Sequence, residues 1–228
     1  MNIILTSSPN FSQKINEERK AIKLENAELI DQIKLMTKKY DNLLFICSNP
    51  DDYKKNESYA KIIEKSLSLA GIKFEKSDLL DSRNWLFTKS LINISDLIIV
   101  LGGNPLDQME FFNSIDLKNK IKKYDGCIMT VSAGTINMAN YVYCSKDDEI
   151  DETVRYRGLG LTDLNIEPHF DIEDEKRINE ILLKDSEDGA FYALPEESFI
   201  TIKNNEINMF GDIYYFSNGN YEKKNKEK

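Results

Sequence analysis

The chain has 228 residues, 41% hydrophobic and 30% charged, enough for one α/β domain with a buried core over 1–220. Its net charge of −9 disfavours a nucleic-acid partner, and the one dense basic run, Lys223-Lys224-Asn225-Lys226-Glu227-Lys228, reads as part of a solvated charged tail over 221–228. No run reaches the roughly 18 apolar residues of a spanning helix, nothing at the start reads as a secretion signal, and three cysteines beside a single histidine make no zinc set; a cytoplasmic protein with reduced thiols is expected.

Short apolar runs alternate with helical patterns. Residues 2–6 and 42–47 read as strands, and between them Ile22, Leu29, Ile33 and Met36 place a helix over 21–39. Tyr59, Ile62, Ile63, Leu67 and Ala70 mark a second helix that ends at Gly71, with a third strand expected near 72–74. Residues 96–101 and 127–131 are nearly all apolar, as central parallel strands buried on both faces must be. Each runs into small residues and then a helix, which implies a doubly wound, mostly parallel sheet flanked by helices. Further on, 178–183 reads as helical. Residues 198–202 and 206–210 flank Lys203-Asn204-Asn205 as a C-terminal β-hairpin, and 213–216 adds an edge strand.

Thr130-Val131-Ser132-Ala133-Gly134 lies where a strand turns sharply into a helix. Such a turn lifts a serine hydroxyl clear of the sheet and aims the next N–H at a developing oxyanion. His169 is the only histidine and closes a partly apolar segment ending in Pro168, so it falls at the strand edge where catalytic groups gather. A serine hydroxyl needs such a base to become a nucleophile. The base in turn needs a carboxylate to hold its tautomer, and Asp147, Asp148, Glu149, Asp151 and Glu152 all lie between the two. Spacing does not choose among them. Gly102-Gly103-Asn104 could offer backbone N–H groups to an anion but lacks the dinucleotide spacing. Cys127, within a strand, reads as a buried structural thiol.

Four segments in this order resemble the dipeptidase E family of serine peptidases, whose relatives include the cyanophycinases. They are Ile98-Ile99-Val100-Leu101-Gly102-Gly103-Asn104, Val131-Ser132-Ala133-Gly134, Asn165-Ile166-Glu167-Pro168-His169-Phe170, and Ala193-Leu194-Pro195-Glu196. The resemblance covers about residues 96 to 216 and implies a fold like that of class I glutamine amidotransferases. It makes Ser132 the nucleophile and His169 the general base. It also places the acid fifteen residues after the serine, at Asp147. Gly103 and Ala133 become the oxyanion donors, and Asn104, Arg155, Arg157 and Arg177 candidate substrate contacts. The implied reaction is hydrolysis of dipeptides or short peptides through an acyl-enzyme. It needs no cofactor or metal, no nucleic acid and no membrane, in a monomer or homodimer.

The chain departs from the family in three places. Thr130 replaces a glycine, which would crowd the elbow; Leu101 replaces a glycine of the loop; and the segment after His169, Asp171-Ile172-Glu173-Asp174-Glu175-Lys176-Arg177, is more acidic than in the aspartyl dipeptidases. Thr130 favours an alternative, a catalytically weak relative that binds a small anion or peptide through the Gly102–Asn104 loop. The joint presence of Ser132, Asp147 and His169 favours the peptidase.

Overall fold

The computed structural model describes residues 1–16, 18–147 and 150–224. In chain order it contains β1 (Asn2–Thr6), the hairpin β2 (Ser12–Ile15) and β3 (Glu18–Ala21), α1 (Ala27–Met36), β4 (Asn42–Ile46), α2 (Tyr53–Leu69) and β5 (Lys76–Leu80). Next come α3 (Thr88–Ile94), β6 (Leu97–Val100), α4 (Pro105–Ser114), α5 (Leu117–Ile121), β7 (Cys127–Val131) and α6 (Ala133–Ile136). Then follow β8 (Tyr141–Cys144), β9 (Val154–Arg157), β10 (Ile166–Glu167) and α7 (Glu175–Arg177), which a π-helical turn over Ile178–Leu182 joins to α8 (Leu183–Asp185). The chain finishes with β11 (Phe191–Ala193), β12 (Phe199–Lys203), β13 (Glu206–Phe210), β14 (Ile213–Ser217) and β15 (Asn220–Lys224).

The main sheet has seven strands in the order β13-β12-β1-β7-β6-β4-β5. The five from β1 to β5 are parallel, and β12 and β13 add antiparallel edges. Alternation along the strands splits the core in two. Leu44, Ile46, Ile98, Val100 and Ile128 face Ile92, Phe112, Leu117 and Ile121 of α3, α4 and α5. Leu43, Phe45, Leu97, Ile99 and Met129 face Leu29, Ile33, Ile63 and Leu67 of α1 and α2. The expected doubly wound sheet is thus present. The expected hairpin turns at Asn204 and Asn205, both at positive φ (53° and 66°), as a tight two-residue turn requires.

Several local expectations are corrected. Helix α1 starts only at Ala27, because the Asn26 side chain accepts from Leu29 N–H at 3.0 Å and caps it. The residues before it form β2–β3, a hairpin of mostly exposed polar side chains with no apolar alternation to announce it. Ile72 and Phe74 are buried but lie in a loop; the edge strand is β5, whose first three residues are exposed. Residues 213–216 do not extend the main sheet. They belong to β14, inside a second sheet ordered β10-β11-β14-β15. Its inner face packs Phe170, Phe191 and Phe216 against Leu182. Residues 221–224, expected in a solvated tail, are most of β15, and 225–228 lie outside the described residues. No described helix is long and apolar enough to cross a membrane.

Candidate active site

Four parallel strands end their C-terminal edges at one place. Ser7 follows β1, Ser48 lies just beyond β4, Gly102 and Gly103 lie just beyond β6, and Ser132 follows β7. Ser132 has φ 49° and ψ −113°, a conformation that a non-glycine residue holds only when its surroundings enforce it. The enforcement is visible in its backbone bonds. Its N–H donates to Ser7 O at 3.0 Å, and its C=O accepts from Thr135 N–H at 2.7 Å and Ile136 N–H at 3.1 Å. Two glycines complete the close approach. A Cβ on Gly134 would lie 2.6 Å from Val100 O, and one on Gly103, at φ 146°, would overlap the Ser48 hydroxyl. Gly134→Ala is therefore expected to lower stability by about 1–3 kcal/mol, the usual cost of overpacking, as read by urea unfolding at unchanged m-value.

Thr130 does not crowd this elbow. Its side chain is fully buried, lines neither cavity at Ser132, and lies with its hydroxyl 2.7 Å from that of Thr135, which donates to Thr6 O at 2.7 Å. The Thr6 hydroxyl returns a bond to Thr130 O at 2.6 Å. Threonine here ties β1, β7 and α6 together beneath the serine.

His169 reaches the same place from the second sheet. It has φ 56°, and its N–H donates to the Ser7 hydroxyl at 2.7 Å. Ser7, fully buried, thus holds Ser132 through its carbonyl and His169 through its side chain. The neighbouring Phe170 is anchored in the aromatic core. The ring lies with Nε2 2.7 Å from Ser132 Oγ and Nδ1 2.6 Å from Glu196 Oε1. The hydrogen bond to Glu196 holds the imidazole pKa above its ordinary 6.5, against the opposing effect of burial.

The carboxylate on Nδ1 is thus Glu196, not Asp147. Parallel pairing of β10 with β11 sets Glu167 beside Ala193, and Leu194 N–H donates to Glu167 O at 2.8 Å. That pairing carries Pro195-Glu196 alongside Pro168-His169. Asp147 sits elsewhere in the site, its Oδ1 accepting from Ile150 N–H at 2.8 Å within the β8–β9 loop. Asp151 and Glu152 are exposed, and Asp148 and Glu149 lie outside the described residues.

Two cavities meet at Ser132, His169 and Gly103. The smaller, about 270 Å³, is lined by Ala133, Ser145, Asp147, Glu167 and Arg177 among others. Arg177, expected as a substrate contact, lines this cavity but pairs with buried Glu167 at 2.6 Å and donates to Lys146 O at 2.9 Å. Burial raises the Glu167 pKa, while Arg177 and the Ser145 hydroxyl pull it down. The other expected substrate contacts line neither cavity. Asn104 caps α4, accepting from Leu106 N–H at 2.9 Å and Asp107 N–H at 3.1 Å. Arg155 donates to Asp185 O at 3.0 Å and lies over Tyr143, and Arg157 lies over Tyr141. The larger cavity, about 440 Å³, opens on the other side of the serine between the β2–β3 hairpin and α2.

The backbone N–H groups of Gly103 and Ala133 donate to no protein acceptor among the described residues. Ala133 opens α6, where the first N–H groups have no intrahelical partner. Cys47, Cys127 and Cys144 are buried and unpaired, and burial pushes each thiol up to about 12, so none competes as a nucleophile. Among the described residues no group of three or more His, Cys, Asp or Glu side chains is placed to hold a metal ion.

A peptidase E from Nostoc sp. (strain PCC 7120 / SAG 25.82 / UTEX 2576) is 24% identical over 178 residues, 72% of this chain and 71% of that protein. The crystal structure of a peptidase from an acI-B1 Actinobacterium superposes with a TM-score of 0.64 at 13% identity, covering 100% of this chain and 95% of that one. A Listeria monocytogenes EGD-e structure assigned as a peptidase E gives 0.65 at 17% identity, over 92% and 97% of the two chains. These two structures bear on the fold alone. The model of peptidase family S51 matches residues 4–210, nearly the whole chain, and the chain therefore belongs to that family, the dipeptidase E family of serine peptidases.

Proposed function

We propose that the chain hydrolyses dipeptides or short peptides with a free N-terminus, using Ser132, His169 and Glu196 as a triad. The observation that carries this is one unbroken line of hydrogen bonds, Glu196 Oε1 to His169 Nδ1 at 2.6 Å and His169 Nε2 to Ser132 Oγ at 2.7 Å. Ser132 Oγ attacks the scissile carbonyl carbon as its proton passes to Nε2. The carbonyl oxygen becomes an oxyanion within reach of the Gly103 and Ala133 N–H groups. Collapse breaks the C–N bond, and His169 returns the proton to the leaving amine. Water, deprotonated by the same imidazole, then releases the acyl group and restores Ser132. Glu196 keeps the Nδ1 tautomer fixed and stabilises the imidazolium that forms at each step.

The smaller cavity suits the N-terminal residue. Among the described residues that line it, the two carboxylates of Glu167 and Asp147 outnumber the one guanidinium, Arg177, which pairs with Glu167. This acidic lining suits an α-ammonium, and Arg177, held by Glu167, is not released to a substrate side-chain carboxylate. Accordingly kcat/KM for Asp-Leu should exceed that for Asn-Leu by less than about a hundredfold, with Ala-Leu and Lys-Leu completing the matched series. A larger ratio would show that Arg177 is released to the substrate.

Three buried, unpaired thiols support a reducing, cytoplasmic setting. The proposed reaction is tested by incubating the protein with a fluorophosphonate and mapping the adduct by mass spectrometry. Labelling at Ser132 alone, together with turnover of the dipeptide series, is expected. An unlabelled protein that binds peptide without cleaving it would instead make this chain a binding relative.

A further inference from the structure

The two cavities share the reacting serine, so a bound substrate must straddle them. With the N-terminal residue in the smaller, acidic one, the leaving group falls in the larger. That cavity has the opposite charge. Arg19, on β3, and Lys55, in the first turn of α2, both line it, and neither side chain has an acidic partner among the described residues. The one acidic side chain among its described lining residues, Glu196, is engaged by His169. Phe11, Tyr59 and Ile62 supply an apolar wall beside the cations. The polar β2–β3 hairpin, which the core does not require, packs against α2 and is the element that brings Arg19 to this edge.

Resting on the peptidase reading above, we propose that the larger cavity is a leaving-group subsite for an amino acid with a free α-carboxylate. Arg19 and Lys55 hold the carboxylate, and an apolar side chain lies against Tyr59 and Ile62. An arginine fork and a lysine point charge converging on one carboxylate form charge-assisted hydrogen bonds, stronger than neutral ones. Each contributes about tenfold in affinity where water still has access. The pair therefore selects dipeptides over longer peptides and over blocked C-termini, because in both of those the α-carboxylate is displaced or absent.

The test compares Ala-Leu with Ala-Leu-amide, which differ only in that carboxylate. Binding is measured by calorimetry on Ser132→Ala protein, so that the result does not depend on turnover, and kcat/KM on the parent enzyme. The free acid is expected to bind about a hundredfold more tightly than the amide. Arg19→Gln combined with Lys55→Gln should reduce that ratio to near one; both side chains are exposed, and the charge change leaves the core intact. Equal binding of acid and amide, or a preference that survives in the double variant, would overturn the proposal. Failure of the peptidase reading would show separately, as absence of turnover and of fluorophosphonate labelling in the parent.

Discussion

Ser132→Ala should lower kcat/KM for any dipeptide substrate by on the order of 10⁴-fold or more, while the unfolding midpoint moves little. Among the described residues, the hydroxyl is the one group at the junction of the two cavities that combines a nucleophilic atom with a base on it, since the thiols are buried and held protonated. The substitution removes one oxygen at a site facing open space and leaves intact the backbone bonds from Ser7 and to Thr135. The elbow should therefore persist. Any rate that remains would come from the oxyanion N–H groups and from binding alone. Stopped assays with the purified variant, after excluding traces of parent enzyme, measure it.

Glu196→Gln is expected to have the second-largest effect, on the order of 10²–10³-fold in kcat/KM. Losing a buried triad carboxylate commonly costs about 10⁴-fold, because an amide holds the wrong imidazole tautomer. Glu196 is not buried, with 49% of its side chain exposed, so water replaces part of the lost bond and the penalty is smaller. The variant should fold normally. The comparison with Ser132→Ala thus separates the group that reacts from the group that orients the base.

Much of the fold was legible because parallel strands buried on both faces, such as Leu97–Val100 and Cys127–Val131, demand runs that are nearly all apolar. Ser132 and His169 were legible for a related reason: each follows a strand and stands out by chemistry. Glu196 was not. It was visible as the end of Ala193-Leu194-Pro195-Glu196, but its place beside His169 depends on pairing β10, of two residues, with β11, of three. Strands that short carry no readable period. Looking for the acid between serine and histidine led to Asp147, which lines the same cavity without holding the ring. The pairing of Arg177 with Glu167 was not legible, because the two lie in different elements and nothing local marks Glu167 as buried. The β2–β3 hairpin escaped notice because its strands bury no apolar face.

The central claim, that Glu196 orients and charges His169, is tested most directly by the acid limb of the pH dependence of kcat/KM, which reports the free enzyme's base. His169 must be neutral to take the serine proton, and its hydrogen bond to Glu196 raises its pKa above 6.5. Activity should therefore be lost, as pH falls, at a higher pH than for an unperturbed imidazole. Glu196→Gln should move that midpoint down towards 6.5, while Asp147→Asn, which removes only the smallest of the charge effects that raise it, should lower it less. A midpoint that stays in place in Glu196→Gln and falls in Asp147→Asn would contradict the account and return the orienting role to Asp147.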